Sequence, residues 1–362
     1  MKIIDRYLLR TFLVPFFYIL TAFMMIFVIF DLFDNLNDFI DGRTPIALVT
    51  KYYLVLLPSV IIRIVPVSLL LAVLYSLSSL TKNNELTAMR ASGISILRLM
   101  VPFLSVGLLF SVAVAIVHET ISPQAAYWCY NFVREQKKND PAAVYIKHDL
   151  AIKHQGTRRS WLVGQFDIRN FNMKNIEVIQ QREDTSDERK IRAKEAQWLD
   201  GRWWFKDVVE QDYDVDSNPM GPPRFALAEE MENLSEQPSL FLNEFKDPEY
   251  LSSLELMDYL QTHKDRDPAA LARVEADLQS RLAMPWTCFI VTLLGIPFGS
   301  QTGRKGAFLG VALSIGLFFS YYVLVNVGLG MAKKMIISAP IGGWLPNIIF
   351  LAIGLVMVYR MR

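Results

Sequence analysis

The stretch TFLVPFFYILTAFMMIFVIF, residues 11–30, contains no Asp, Glu, Lys or Arg. A helix needs about 20 apolar residues to cross the hydrocarbon core of a bilayer, and this stretch has that length. Five similar runs follow, in which the only charged residue is Arg63, at 52–80, 99–117, 282–302, 306–332 and 335–359. Continuous apolar runs of this length are typical of helices rather than of alternating barrel strands, so the sequence predicts six transmembrane helices.

The charged residues concentrate between the third and fourth apolar runs. The chain is 52% hydrophobic and still 20% charged, with a net charge of +1. We therefore predict an α-helical membrane protein with a water-soluble domain inserted between helices 3 and 4, divided as residues 1–120, 121–280 and 281–362. A net charge this close to zero gives no basis for nucleic-acid binding.

The distribution of Lys and Arg predicts the orientation, because these residues accumulate in short cytoplasmic segments. If the N-terminus is cytoplasmic, ten lie on the cytoplasmic side: Lys2, Arg6, Arg10, Lys82, Arg90, Arg98, Arg304, Lys305, Arg360 and Arg362. Four lie in the short outer loops: Arg43, Lys51, Lys333 and Lys334. Both termini are therefore expected in the cytoplasm and the insert on the opposite side. The first outer loop is expected to be solvated and acidic, a cation site being the alternative, with Asp31, Asp34, Asp38 and Asp41.

The spacing of apolar residues along the insert changes from a strand-like to a helix-like pattern. From residue 144 to about residue 227, apolar and polar residues tend to alternate between Gly and Pro breakers, which predicts short strands of a sandwich or jelly roll. LSSLELMDYLQTH, residues 251–263, instead predicts an amphipathic helix, and a second helix is expected from about Pro268 into the fourth span. Three tryptophans suggest core and edge packing, with a lipid-binding inner face as the alternative: Trp198, Trp203 and Trp204.

The sequence contains no motif for catalysis by this chain alone. GSQTGRKG, residues 299–306, has the wrong spacing for a phosphate-binding loop. The chain also has no H-E-x-x-H metal motif and no G-x-S-x-G nucleophile motif. We therefore expect a chain that is not an enzyme, with no metal site and no cofactor of its own.

The segment TKNNELTAMRASGIS, residues 81–95, predicts a short cytoplasmic helix between spans two and three. Asn84 is a candidate N-cap, and Glu85 suits the positive end of a helix. Three side chains share one face by their spacing, and Gly93 is a candidate terminator; the three are Leu86, Met89 and Arg90. Either this is an ordinary interfacial helix, or it docks into a soluble partner with Glu85 and Arg90 as polar contacts.

At this segment the chain resembles the permease subunits F and G of the lipopolysaccharide-export ABC transporter, and the resemblance extends over almost the whole length. The stretches that carry it are, in order, IDRYLLRTFLVPF, NELTAMRASGIS, ETISPQA, LSSLELMDYL, RLAMPWTCFIVTLLGIPFG and LPNIIF. Their order and the arrangement of three spans, an insert and three spans are specific to that family.

The resemblance implies six transmembrane helices with a periplasmic β-jelly-roll between helices 3 and 4. It implies a second permease subunit, a cytoplasmic ATPase dimer that binds the ATP, and periplasmic jelly-roll bridge proteins that join by strand addition. It places the protein in the inner membrane of a Gram-negative-type bacterium, with lipopolysaccharide or a related lipid as cargo. Residues 81–95 then correspond to the family's coupling helix, with Glu85 at its acidic contact position.

One region departs from the family pattern. Some members carry lysines near the outer end of the first helix, whereas this chain has DLFDNLND at residues 31–38. Arg63 is a candidate replacement for that cation, because an intramembrane Arg usually faces a cavity or a partner; snorkelling to the interface is the alternative. Ser59 and Asp31 complete the candidate lipid-contact residues.

Two other functions remain open from the sequence. One is a lipoprotein-releasing ABC permease, although that type usually has its large outer domain after the first span. The other is a membrane-anchored scaffold or sensor that binds a periplasmic partner, which would need neither six spans nor a coupling helix.

Overall fold

The computed structural model describes residues 3–137, 145–154, 157–184, 186–238, 241, 248–262, 268–300 and 304–361. The chain divides into two compact units. One unit is helical and comprises Met1–Cys129 and Asp267–Arg362. The other comprises Tyr130–Arg266 and contains the β-sheet.

The helices before the sheet are α1 (Ile3–Asp41), α2 (Ile46–Lys82), α3 (Glu85–Ala91), α4 (Ile96–Thr120) and α5 (Ser122–Lys137). Those after it are α6 (Ser253–Thr262), α7 (Pro268–Ala283), α8 (Thr287–Gly299), α9 (Arg304–Lys333) and α10 (Ala339–Tyr359). Within the described residues, six helical segments are long and apolar enough to cross a membrane, with α7 and α8 together forming the fourth. The six predicted spans are therefore confirmed.

The acidic stretch after the first span is helical, and the expected solvated loop is wrong at this point. Helix α1 continues through Asp41, and at about 1.5 Å per residue its 39 residues are roughly 58 Å long. The four aspartates recur at intervals of three and four residues, which puts them along one side of a helix. The apolar stretch thus crosses the membrane, and the same helix continues beyond it as an amphipathic extension.

The fourth span is broken near its start. Helix α7 ends at Ala283, a single tight 3-10 turn covers Met284–Trp286, and α8 begins at Thr287. Pro285 lies in that turn and cannot donate a main-chain hydrogen bond, which favours an interruption of the α-helix there. The helix expected from about Pro268 forms, and the break after it was not predicted.

The helical unit is held together mainly by α2, α4 and α8. Buried side chains of these helices form a continuous apolar core that also takes in Leu8, Phe12 and Phe16 of α1. Glycines allow close packing in this core, since a Cβ on Gly107 would lie 2.8 Å from the Thr292 hydroxyl and one on Gly299 would lie 2.9 Å from Leu77.

The insert contains one six-stranded antiparallel sheet in which each strand pairs with its neighbour in sequence. Its strands are β1 (Ile146–His154), β2 (Arg159–Asp167), β3 (Asn172–Gln181), β4 (Asp187–Leu199), β5 (Arg202–Asp212) and β6 (Arg224–Glu230). The prediction of a β insert between helices 3 and 4 of an α-helical membrane protein is confirmed.

An aromatic cluster fills the inner face of the sheet. Trp161, Trp203 and Phe241 are completely buried, with ring centroids 5.0–5.8 Å apart. Trp198 packs at the edge of this core, whereas Trp204 is partly exposed, because neighbouring strand residues point to opposite faces. The tryptophans therefore pack in the core and at its edge, as the sequence favoured.

Helix α6 forms where its amphipathic pattern predicts a helix. Ser252 and Glu255 make a reciprocal capping box: the Glu255 N–H donates to the Ser252 hydroxyl at 3.2 Å, and the Ser252 N–H donates to the Glu255 carboxylate at 2.8 Å. The helical spacing predicts an apolar face of Leu254, Met257 and Leu260, and that prediction is wrong, because Leu254 and Met257 are exposed and Leu256 is buried.

Candidate functional site

The predicted coupling segment folds as the short helix α3. Asn84 stands at the N-cap position in a left-handed conformation, with φ of 57°, and its side chain makes no capping hydrogen bond. The expected capping role of Asn84 is therefore wrong. Its contribution is conformational, because Asn tolerates the left-handed region that the tight turn between α2 and α3 requires.

Gly93 ends α3 as predicted. Its φ is +88°, its N–H donates to the Arg90 carbonyl at 3.0 Å, and the Ile94 N–H donates to the Met89 carbonyl at 3.3 Å. This pair of bonds is a Schellman motif, which favours glycine because other residues are strained at positive φ.

The two faces of α3 have different roles. Leu86 is buried and Met89 packs against the apolar core, whereas Arg90 is exposed. The Glu85 carboxylate accepts a 2.5 Å hydrogen bond from the hydroxyl of Tyr7 on α1. Helix α3 is thus fixed to the helical unit through one face and through Glu85, while Arg90 and the other exposed side chains face outward.

A second polar contact, an ion pair, joins α4 to the start of α1. Arg98 on α4 donates to both carboxylate oxygens of Asp5 on α1, at 3.0 and 2.8 Å. Tyr7 and Asp5 lie two residues apart near the start of α1, so the first turns of α1 contact both α3 and α4. No local sequence pattern signals these contacts, because they join residues that are 78 and 93 positions apart.

A cavity of about 470 Å³ lies between α2 and the helices of the C-terminal half. Among the described residues that line it, Arg63 is the one that carries a formal charge. Its polar wall comprises Ser280, Thr287, Tyr321, Tyr322 and Asn347, and its apolar wall includes Val67, Met284, Phe318, Phe319 and Val325. The cavity therefore combines one guanidinium with hydroxyl, amide and apolar surfaces, as an amphipathic ligand requires.

A buried hydrogen-bond network forms the polar wall. The Tyr321 hydroxyl donates to Asn347 Oδ1 at 2.5 Å, and the hydroxyls of Tyr321 and Thr287 are 2.7 Å apart. Asn347 Nδ2 donates in turn to the main-chain carbonyl of Ala283 at 2.7 Å. The network joins α8, α9 and α10 to the end of α7.

The chain matches the family model described as lipopolysaccharide export system permease LptF/LptG over residues 6–360, nearly its whole length. The chain belongs to the LptF/LptG family. No curated protein matches the chain. The resemblance drawn from the sequence is confirmed. Family membership and the six apolar helices together make this a multi-pass inner-membrane protein and a transport subunit rather than a catalytic one.

The structure of this LptF/LptG chain brings only one of the three candidate lipid-contact residues to the cavity. Arg63 lines it. Ser59 is buried on α2 with its hydroxyl 3.1 Å from that of Ser122, and it does not line the cavity with Arg63. Asp31 lies on α1 and accepts a 3.2 Å hydrogen bond from Tyr52, which also places it away from the cavity lining.

The sequence did not identify the other polar residues of the cavity. Thr287, Tyr321 and Asn347 lie inside uncharged apolar runs, where a lone hydroxyl or amide provides little signal. In the part of the chain that the structure describes, no group of three His, Cys, Asp or Glu side chains is arranged to hold a metal ion.

Proposed function

We propose that this LptF/LptG chain is the permease subunit of an ABC transporter that extracts lipopolysaccharide, or a similar large amphipathic lipid, from the inner membrane and passes it to a periplasmic bridge. The observation that carries the proposal is the family match over residues 6–360. The Arg63 cavity supports it, because a guanidinium pairs with phosphate oxygens and the apolar wall suits acyl chains.

ATP binding and hydrolysis belong to a separate cytoplasmic ATPase, and this chain needs no cofactor of its own. Helix α3 is the contact surface for that ATPase, with both termini on the same side of the membrane and the β-sheet unit in the periplasm. Two observations support this assignment: α3 is anchored through Leu86 and Glu85, and it presents Arg90 outward.

A second permease of the same family covers part of the exposed apolar surface of the helical unit. In the apolar stretches of α1 and α9 that are long enough to span a membrane, only 17% and 11% of the residues are buried within the chain. In the fourth span the buried share is 78%. Lipid covers some of this surface, and association of apolar helices through a second subunit accounts for the remainder.

The periplasmic bridge joins the open edge of β6 by strand addition. Among the described strands, β1 and β6 each pair on one side only. Strand β6 exposes the apolar side chains Phe225 and Leu227, whereas Leu150 and Ile152 of β1 are buried in the core of the sheet unit. An exposed apolar edge strand favours pairing with another chain. A photo-crosslinker at Leu227 should therefore capture the bridge protein, and one at Lys153 on β1 should not.

Isolation of the intact membrane complex tests the assignment as a whole. Co-purification of an ATPase chain, a second permease and a phosphorylated glycolipid is the expected result. A complex with lipoprotein as its bound cargo would favour the lipoprotein-releasing alternative. A chain that is isolated without any ATPase would favour the scaffold or sensor and contradict the proposal.

A further inference from the structure

A side chain of α10 reaches the break in the fourth span. The Ala283 carbonyl stands at the N-cap of the 3-10 turn, and the Thr287 N–H, which would donate to it in a continuous α-helix, is directed to Met284 and Pro285 instead. Asn347 on α10 donates a further hydrogen bond to the Ala283 carbonyl at 2.7 Å. Losing a buried hydrogen bond is costly in a membrane interior, so this contact stabilises the break.

The orientation of each hydrogen bond in the network follows from that contact. Because Asn347 uses its NH₂ group for Ala283, its oxygen accepts from Tyr321. The Tyr321 oxygen then accepts from the Thr287 hydroxyl at 2.7 Å. All three side chains are at least nine-tenths buried, so every group has a defined partner within the network.

Helix α10 holds both sides of the break. Before the break, a Cβ on Gly343 would lie 2.9 Å from the main chain of Gln279, and the Trp344 indole donates to the Gln279 side chain at 3.0 Å. After the break, Gly354 packs against Leu293, where a Cβ would lie 2.8 Å from the Leu293 side chain. Asn347 is the polar contact between these two close packings.

We propose that Asn347, acting with Tyr321 and Thr287, is a positioning group for the cavity: it fixes the angle between α7 and α8 and thereby sets the width of the cavity that Arg63 lines. The role of the cavity as a lipid site rests on the proposed function, whereas the mechanical role of the network does not. Release of this network lets α7 and α8 bend at Met284–Trp286 and opens the cavity.

Thiol labelling of the intact membrane complex tests the positioning role. Val67→Cys places a thiol on the α2 wall of the cavity, opposite the network, and a permeant maleimide reports its accessibility without added lipid. The native Cys129 and Cys288 are buried, and the parent protein gives the background. Thr287→Val and Asn347→Leu, made separately, should raise the labelling rate about tenfold, because losing a buried hydrogen bond shifts an opening equilibrium by about that factor.

Matched variants make the result specific. Thr287→Ser keeps the hydroxyl and should label at the parental rate. Ser111→Ala removes a different contact at the same break, the 3.1 Å bond from the Phe289 N–H to Ser111 on α4, and should leave labelling of the thiol at position 67 unchanged. A thiol at Leu109, exposed on α4 away from the cavity lining, should not respond to any of these variants.

Two results would overturn the proposal: parental labelling rates in both Thr287→Val and Asn347→Leu, or an equal rise in Ser111→Ala. The test is independent of the lipid assignment. If Arg63→Ala leaves lipid crosslinking intact while labelling still responds to Thr287→Val, the lipid site fails and the positioning role stands. If lipid crosslinking depends on Arg63 but labelling at position 67 does not respond to Thr287→Val or Asn347→Leu, the lipid site stands and the positioning role fails.

Discussion

Replacing Arg63 with Ala removes the one formal charge among the described residues that line the cavity. A hydrogen-bonded contact to a charged group contributes about 1.5–3 kcal/mol. Arg63 is exposed to the cavity rather than buried, so water weakens the contact and the lower value applies. A loss of about 1.5 kcal/mol corresponds to about a tenfold weaker apparent affinity for a phosphorylated lipid.

The assay is a lipid titration with a photo-crosslinker at Val67 in the reconstituted complex. Arg63→Ala should shift the half-saturating lipid concentration upward about tenfold, and Arg63→Lys should shift it less, because an ammonium keeps the charge but not the two parallel hydrogen bonds. Lys334→Ala, which removes an exposed cation outside the cavity lining, serves as the control and should have no effect. An unchanged titration in Arg63→Ala, with normal insertion, would refute the lipid role of Arg63.

Three further predictions concern topology, coupling and packing. Labelling of intact cells with an impermeant thiol reagent should reach a cysteine at Gly201 and miss one at Gly93. Glu85→Lys should abolish co-purification of the ATPase, because it reverses the charge at the proposed contact. Gly343→Ala should destabilise the detergent-solubilised complex by about 1–3 kcal/mol, measured as a lower unfolding temperature, because the new methyl would lie 2.9 Å from the α7 main chain.

Controls separate these effects from general damage. Tyr7→Phe removes the hydrogen bond to Glu85 without changing the charge, so the ATPase should remain bound. If the ATPase is lost in Tyr7→Phe, Glu85 acts by holding α3 in place rather than by contacting the ATPase. Gly316→Ala adds a methyl where nothing lies within 4 Å, so the unfolding temperature should not fall. Equal destabilisation by both glycine variants would contradict the packing argument. Labelling at Gly93 with protection at Gly201 would reverse the orientation.

The sequence by itself determined the number of spans, the position of the β insert and the location of α3. These features follow from local composition: an apolar run long enough for the bilayer, a two-residue alternation, or a capping glycine such as Gly93. The break in the fourth span was not predicted, and Pro285 alone does not signal it, because Pro58, Pro66 and Pro346 lie inside continuous helices.

Tertiary structure decided which polar side chains meet. Ser59 lies in the same span as Arg63, and Asp31 lies on α1, yet they pair with Ser122 and Tyr52 instead of lining the cavity. The rotation of each helix about its axis, set by close packing at its glycines and by the shape of the whole core, decides these pairings. Asn347 illustrates the limit: the sequence shows an amide in an apolar run, and only the packing of α10 across the broken span shows that it reaches the carbonyl of Ala283.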